Sequence, residues 1–111
     1  MIHKNHIKGL LSELYVIVLL KLKFYRILHW RYKSKLGEID IIARKGMTIA
    51  AIEVKYRKNL ESGLYAVTYN QQKRIKNALI HFGKKYQKHT LRCDICLVTK
   101  NLKIHHIQNA F

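Results

Sequence analysis

Between Gly37 and Lys55 the chain reads GEIDIIARKGMTIAAIEVK, and this stretch restricts its fold more than any other. Two runs rich in isoleucine, valine and alanine flank Gly46, and neither contains proline. Such runs around a glycine point to an antiparallel hairpin, with strands over residues 38–44 and 48–56. If Gly46 and Met47 are the central pair of a type II′ turn, glycine takes the position that requires a positive φ. Asp40 then faces Glu53, Glu38 faces Lys55, Ile39 faces Val54, Ile41 faces Ile52 and Ala43 faces Ala50. A symmetric four-residue loop keeps this pairing, whereas an odd-length loop or a bulge shifts it.

Strand alternation puts Glu38, Asp40, Glu53 and Lys55 on one face and the aliphatic pairs on the other, toward a core. Opposed Cβ atoms lie roughly 4.5–5.5 Å apart, so Asp40 and Glu53 form a like-charge pair that is destabilising when bare. A divalent cation between them removes the conflict. Hard oxygen ligands suit magnesium (Mg2+) or manganese. Lys55, two residues beyond Glu53, reaches the same place, where it can hold water or offset charge on a phosphate. This is equipment for metal-assisted phosphodiester hydrolysis. The alternative is a solvated face of cross-strand salt bridges, Glu38 with Lys55, in which nearby arginines neutralise Asp40 and Glu53.

Acids are scarce here. The chain has six Asp and Glu against 22 Lys and Arg, a formal charge of +16 on 111 residues. Such a field attracts polyanions and is reinforced by counterion release, which makes nucleic acid the leading partner. An anionic membrane surface or a ribosomal-protein-like role shares the signature. The longest wholly apolar run, Leu14 to Leu20, is far short of the ~20 residues that span a bilayer. With Glu13 before it and Lys21 after it, it fits a signal peptide poorly, and a cytoplasmic protein is expected. Cys93 and Cys96 lie three apart in an alternating stretch, on opposite strand faces, which suits two buried thiols better than a disulfide or a metal site.

Helical spacing of Ile7, Leu10, Leu11, Leu14, Ile17 and Val18 predicts a helix over about 5–23. From Tyr15 to Leu20 nearly every side is apolar, which predicts burial on more than one face. YRILHWRY reads as a strand, followed by a turn at Ser34 to Gly37. A second helix is expected over 69–86, opened by a capping box of Thr68 and Gln71. Strands over 91–99 and 103–108 complete one α/β domain spanning 1–111, a small mixed sheet flanked by helices.

GEID at Gly37 to Asp40, followed by EVK at Glu53 to Lys55, resembles the PD-(D/E)xK nuclease superfamily. More narrowly the chain resembles the YraN family of small bacterial proteins. That likeness extends through Glu13, GEIDIIA, IEVKYR, Gly63, Lys73 and the ending HIQNAF. It implies a restriction-endonuclease-like core with a mixed central sheet of about five strands. It further implies that Asp40 and Glu53 bind metal, that Val54 lends its backbone carbonyl and that Lys55 is the catalytic lysine. Glu13 matches an acid that the first helix of such nucleases often adds to the metal site; from the residues alone, a half-buried salt bridge fits it as well. Ile39 replaces the superfamily proline, Ser12 an expected glycine and Arg31 an expected asparagine.

Gln72 and Lys73 on the second helix are candidates for phosphate contact, with helix capping and plain solvation as the alternatives. Arg57 and Lys58 continue from the strand that carries Lys55, and Arg31, Lys33 and Lys35 form a basic approach to GEID. Tyr32, Tyr56 and Tyr65 interleave with them, as stacking platforms or as core. Asp94, in a strand apolar on both faces, is expected to pair structurally with Arg92. The combined expectation is a Mg2+-dependent nuclease, DNA favoured over RNA, with a branched junction and a homodimer as a natural substrate and assembly. A non-catalytic nucleic-acid-binding or ribosome-associated module is the alternative.

Overall fold

Five strands form one mixed sheet in the computed structural model, which describes residues 4–63 and 66–111, with side chains from Lys8 onward. Tyr65 lies outside the described residues. The elements run α1 (Lys4–Leu22), β1 (Arg26–Lys33), β2 (Glu38–Lys45), β3 (Thr48–Arg57), α2 (Leu60–Gly63), α3 (Tyr69–Phe82), β4 (Thr90–Thr99) and β5 (Ile104–Ile107). The strands lie in chain order, antiparallel throughout except for β3 and β4, which are parallel. A parallel pair needs a crossover, and α3 supplies it.

The hairpin register is the one the turn dictates: Ile41 faces Ile52 and Ala43 faces Ala50. Gly46 has φ 59° and Met47 is not in the positive region, as a type II′ turn requires. The expected division into an apolar and a charged face needs correction, because both faces are buried. Ile41, Ala43, Ala50 and Ile52 pack with Val16 and Leu20 of α1, whereas Ile42, Ile49 and Ala51 pack with Ile75, Ala78 and Leu79 of α3. A strand inside two helical layers has no solvent face to keep polar.

Thr68 and Gln71 make the capping box, with Gln71 N–H donating to the Thr68 hydroxyl at 3.2 Å. The helix stops at Phe82 and tightens into a 3₁₀ turn at Gly83–Lys85, short of the expected Tyr86. The short α2 was not anticipated; the Asn59 side chain caps it by accepting from Ser62 N–H at 2.9 Å.

Helix α1 also departs from expectation. Ser12, Glu13, Val16 and Leu20 are buried, but Leu11, Tyr15, Val18 and Leu22 are exposed, so only one face is covered. No helix of the described residues is long and apolar enough to cross a membrane.

Cys93 and Cys96 are free, buried, and divided between the α3 and α1 layers. Asp94, fully buried, accepts from Arg92 Nε and Nη2 at 2.8 and 2.9 Å and from Asn109 N–H at 2.9 Å, with His106 Nε2 at 2.8 Å. Burial alone would raise its pKa, but the bonds from His106, Arg92 and Asn109 outweigh this and hold it below the usual carboxylate range. Asp94 therefore fastens the C-terminal segment to β4, as a structural pairing with Arg92 requires.

Gly37, at the entry to β2, lies against α3. A Cβ there would sit 2.7 Å from the Arg74 carbonyl oxygen, which is helix backbone and cannot swing away. Gly37→Ala is therefore expected to push α3 off β2 and cost about 1–3 kcal/mol, the usual range for overpacking. Urea unfolding measures it; an unchanged midpoint would contradict the contact.

Candidate functional site

Strands β1 and β2 lose regularity at one level of the sheet. In β1, Arg31 adopts φ 59°, opposite the level of Asp40. In β2, Ile39 packs in the α3 layer while Ile41 packs in the α1 layer, so alternation breaks across Asp40. The β2–β3 ladder ends at Ile41 and Ile52, and the expected Ile39–Val54 pair is not formed. Asp40 takes over part of that role: its Oδ2 accepts from Val54 N–H at 2.8 Å. The hairpin thus opens at its mouth, with a carboxylate as the wedge.

Asp40 and Glu53 line the same hollow of about 240 Å3, closed by Glu38, Gln71, Arg74 and Ile75. Asp40 also borders a second hollow of about 210 Å3, beside Glu13, Arg31 and Lys33. Burial, then the charge of Asp40 and a hydrogen bond to it, push the Glu53 carboxyl up to about 9. Asp40 is raised as well, chiefly by burial, although its bonds with Glu53 and the Val54 N–H oppose the shift. At neutral pH the Glu53 carboxyl therefore keeps its proton. Two desolvated carboxylates this close cannot both ionise without a cation.

Lys55 Nζ stands 3.7 Å from Glu53 Oε1, both side chains largely buried. The expected Glu38–Lys55 pair is absent: Glu38 is exposed and lies opposite Lys33 of β1 in the ladder. Glu13 approaches closely enough for its charge to raise both Asp40 and Glu53, but its carboxylate is already engaged. Trp30 Nε1 donates to Oε1 at 2.9 Å, and Arg31 Nε and Nη2 donate to Oε1 and Oε2 at 3.2 and 3.1 Å. Among the described residues no group of three or more His, Cys, Asp or Glu converges as a metal cage.

The other candidates scatter. Arg31 is spent on Glu13; Lys33 and Lys35 are exposed, and of these only Lys33 reaches the hollow beside Asp40. Gln72 donates to the Val67 carbonyl at 3.3 Å and does not line the hollow. Lys73 is exposed and lies over the Tyr69 ring, away from the acids. Arg57 donates to the Tyr56 carbonyl at 2.7 Å, and Lys58 borders a separate basic cleft with Lys100, Lys103 and His105. Tyr32 packs edge-on against Phe82, and Tyr56 against the α1 layer, as core. The helix residues that line the acids' hollow, Gln71 and Arg74, were not anticipated as site residues. Helical spacing held the clue for Gln71, which lies one turn before Ile75, the buried residue closing the hollow.

The sequence profile described as "Uncharacterised protein family UPF0102" matches residues 12–98. The chain belongs to this family. Within UPF0102, a protein of Rhizobium meliloti (strain 1021) is 41% identical over 107 residues, covering 94% of this chain and 88% of its own. A UPF0102 protein of Ehrlichia ruminantium (strain Gardel) is 39% identical, with 93% and 82% covered. One from Alkaliphilus metalliredigens (strain QYMF) is 38% identical, with 93% and 96% covered. The YraN resemblance is to this same family. The UPF0102 match runs from α1 through β4, so it encloses Glu13, Asp40, Glu53, Lys55, Gln71 and Arg74 rather than a lone motif.

Proposed function

We propose that this UPF0102 chain is a cytoplasmic, divalent-metal-dependent nuclease with a restriction-endonuclease-like core, acting on phosphodiester bonds and favouring DNA. One observation carries the reading: two largely buried carboxylates meet at the mouth of a hairpin, with an ammonium group 3.7 Å from one of them, on a chain of charge +16. The donor set fits magnesium or manganese, because Asp40 and Glu53 offer hard oxygens and lack a cation partner of full strength. Val54 offers its carbonyl on the strand edge that carries its Asp40-bonded N–H. A bound ion would supply Lewis-acid polarisation of the phosphodiester and acidify water.

The chain's own residues do the rest. Lys55 Nζ donates to a phosphate oxygen and offsets the charge that grows there during attack. Arg74 and Gln71, on the opposite wall, hold the adjoining backbone phosphate in line. Arg31 keeps Glu13 neutralised, which limits repulsion inside the cluster.

Plasmid, single-stranded and branched DNA, and RNA, are incubated with magnesium, manganese or chelator. Metal-dependent cleavage by the wild type and its loss in Lys55→Ala is the expected result. Cleavage that persists unchanged in Lys55→Ala would mark a contaminant. Binding without cleavage of any substrate would favour the non-catalytic nucleic-acid-binding module.

A further inference from the structure

We propose that the basic cleft beyond the hairpin mouth anchors the phosphate backbone of a nucleic-acid strand, a few nucleotides away from Asp40 and Glu53. The proposal deepens the nuclease reading and rests on it for the substrate class. The cleft, of about 660 Å3, lies between the segment after β3 and the β4–β5 connection. Lys58, Lys100, Lys103 and His105 line it, with Asn59 and Asn101 between them and no carboxylate. All three lysines are exposed, and none forms an ion pair with a carboxylate among the described residues. Cations gathered around one hollow repel each other, and an anion with several oxygens relieves the conflict.

Hydrogen bonds within the chain already hold both walls. Thr99 N–H donates to the Lys103 carbonyl and Leu102 N–H to the Thr99 carbonyl, both at 2.9 Å, which closes the β4–β5 turn on itself. The Thr99 hydroxyl donates to Asn101 Oδ1, and on the other wall Asn59 Oδ1 accepts from Ser62 N–H at 2.9 Å. Each asparagine therefore uses its oxygen inside the protein and keeps its NH2 group as a donor. Lysine ammonium groups and asparagine amides are the donors that phosphate oxygens accept from.

Position ties the cleft to the acids. β3 stays in register with β4 as far as Arg57 and Thr99, so Glu53, Lys55 and Arg57 follow one another on one face of the strand. Lys58 comes next, and with it the cleft begins. Five residues at roughly 3.3 Å each put it about 17 Å from Glu53. That is the length of about five stacked nucleotides, and of fewer in an extended strand. The cleft also stands at the carboxyl ends of the parallel pair, the place where open α/β sheets receive ligands. One flexible polyanion laid along β3 therefore meets the acid pair, Lys55 and the three lysines in turn.

Fluorescence anisotropy with a labelled single-stranded DNA of about twenty nucleotides, in chelator and over a series of salt concentrations, measures the anchor without cleavage. Lys58→Ala combined with Lys100→Ala and Lys103→Ala should weaken binding about tenfold or more at moderate salt. It should also lower the salt slope by about two, the share of three phosphate contacts on a single strand. Lys84→Ala combined with Lys85→Ala and Lys88→Ala removes the same charge elsewhere and should change binding much less. All six positions are exposed, so circular dichroism should stay the same in both variants. Equal losses in the two variants overturn the proposal, as does an unchanged affinity in the cleft variant. A cleft variant that loses adhesion to anionic vesicles while it keeps DNA binding overturns it too, in favour of a lipid surface. Where metal-dependent cleavage is seen, the cleft variant should raise KM and leave kcat, because a remote anchor holds ground and transition states alike. A wild type that binds through the cleft yet cuts nothing supports the anchor and counts against the nuclease reading alone.

Discussion

Asp40→Asn is expected to lower the proposed metal-dependent cleavage by about a thousandfold or more, while the variant keeps its affinity for the same DNA. The loss is that of one essential charge at a reacting centre, where removing a single stabilising group costs about 10²–10³-fold, and the cation's own contribution goes with it. Asparagine is the informative choice. Its carbonyl oxygen can still accept from Val54 N–H, so the wedge at the hairpin mouth stays in place. Alanine would leave that N–H unpaired and confuse folding with chemistry. Affinity should be retained because a chain of +16 would bind polyanions through many phosphate contacts, to which a carboxylate contributes none. Retained cleavage in Asp40→Asn, with purity established by the Lys55→Ala control, would remove the acid pair from the reaction.

The second large effect appears without any substrate. Unfolded, Glu53 titrates near 4.5; in the fold it titrates near 9. Between those values the native state holds a proton that the unfolded chain has released. Stability is therefore complete below about 4.5 and declines as pH rises toward 9, the direction set by linkage for a raised carboxyl. Each tenfold preference for the protonated form is worth about 1.4 kcal/mol, so the decline amounts to several kcal/mol. Magnesium binding needs both carboxylates ionised, so its stabilisation should grow over the same range and flatten the profile. Thermal melts from pH 5 to 9, with magnesium and with chelator, measure both trends. Glu53→Gln should flatten the decline and remove the magnesium effect, since an amide carries no titrating proton; what pH dependence remains is that of Asp40, which burial still raises. Superimposable profiles for wild type and Glu53→Gln would show that the acids are not coupled.

Much of this was legible from residue order alone, for definite reasons. Gly46 sets the turn, the turn sets the register, and the register places position 40 near position 53. The failures begin where local rules stop applying. Alternation assigned Ile39 and Ile41 to one side; the strand breaks between them because the Asp40 carboxylate competes with the ladder for Val54 N–H. Periodicity along α3 favoured Gln72 as a site residue, but the choice between adjacent glutamines depends on the closeness of α3 to Gly37, a tertiary contact. Arg31 stands in a basic run, and nothing local shows that it bends back to Glu13. Apolar residues on nearly every side of α1 from Tyr15 to Leu20 predict burial on more than one face, whereas the fold covers one side only.

The split of Cys93 and Cys96 between the two layers has a practical consequence. Burial pushes their thiols up to about 11 and 12, so neither offers a thiolate near neutrality. An alkylating reagent can label each only when its own side of the sheet opens. Timed labelling followed by mass analysis therefore turns these positions into two independent clocks, one for departure of the first helix and one for departure of the third.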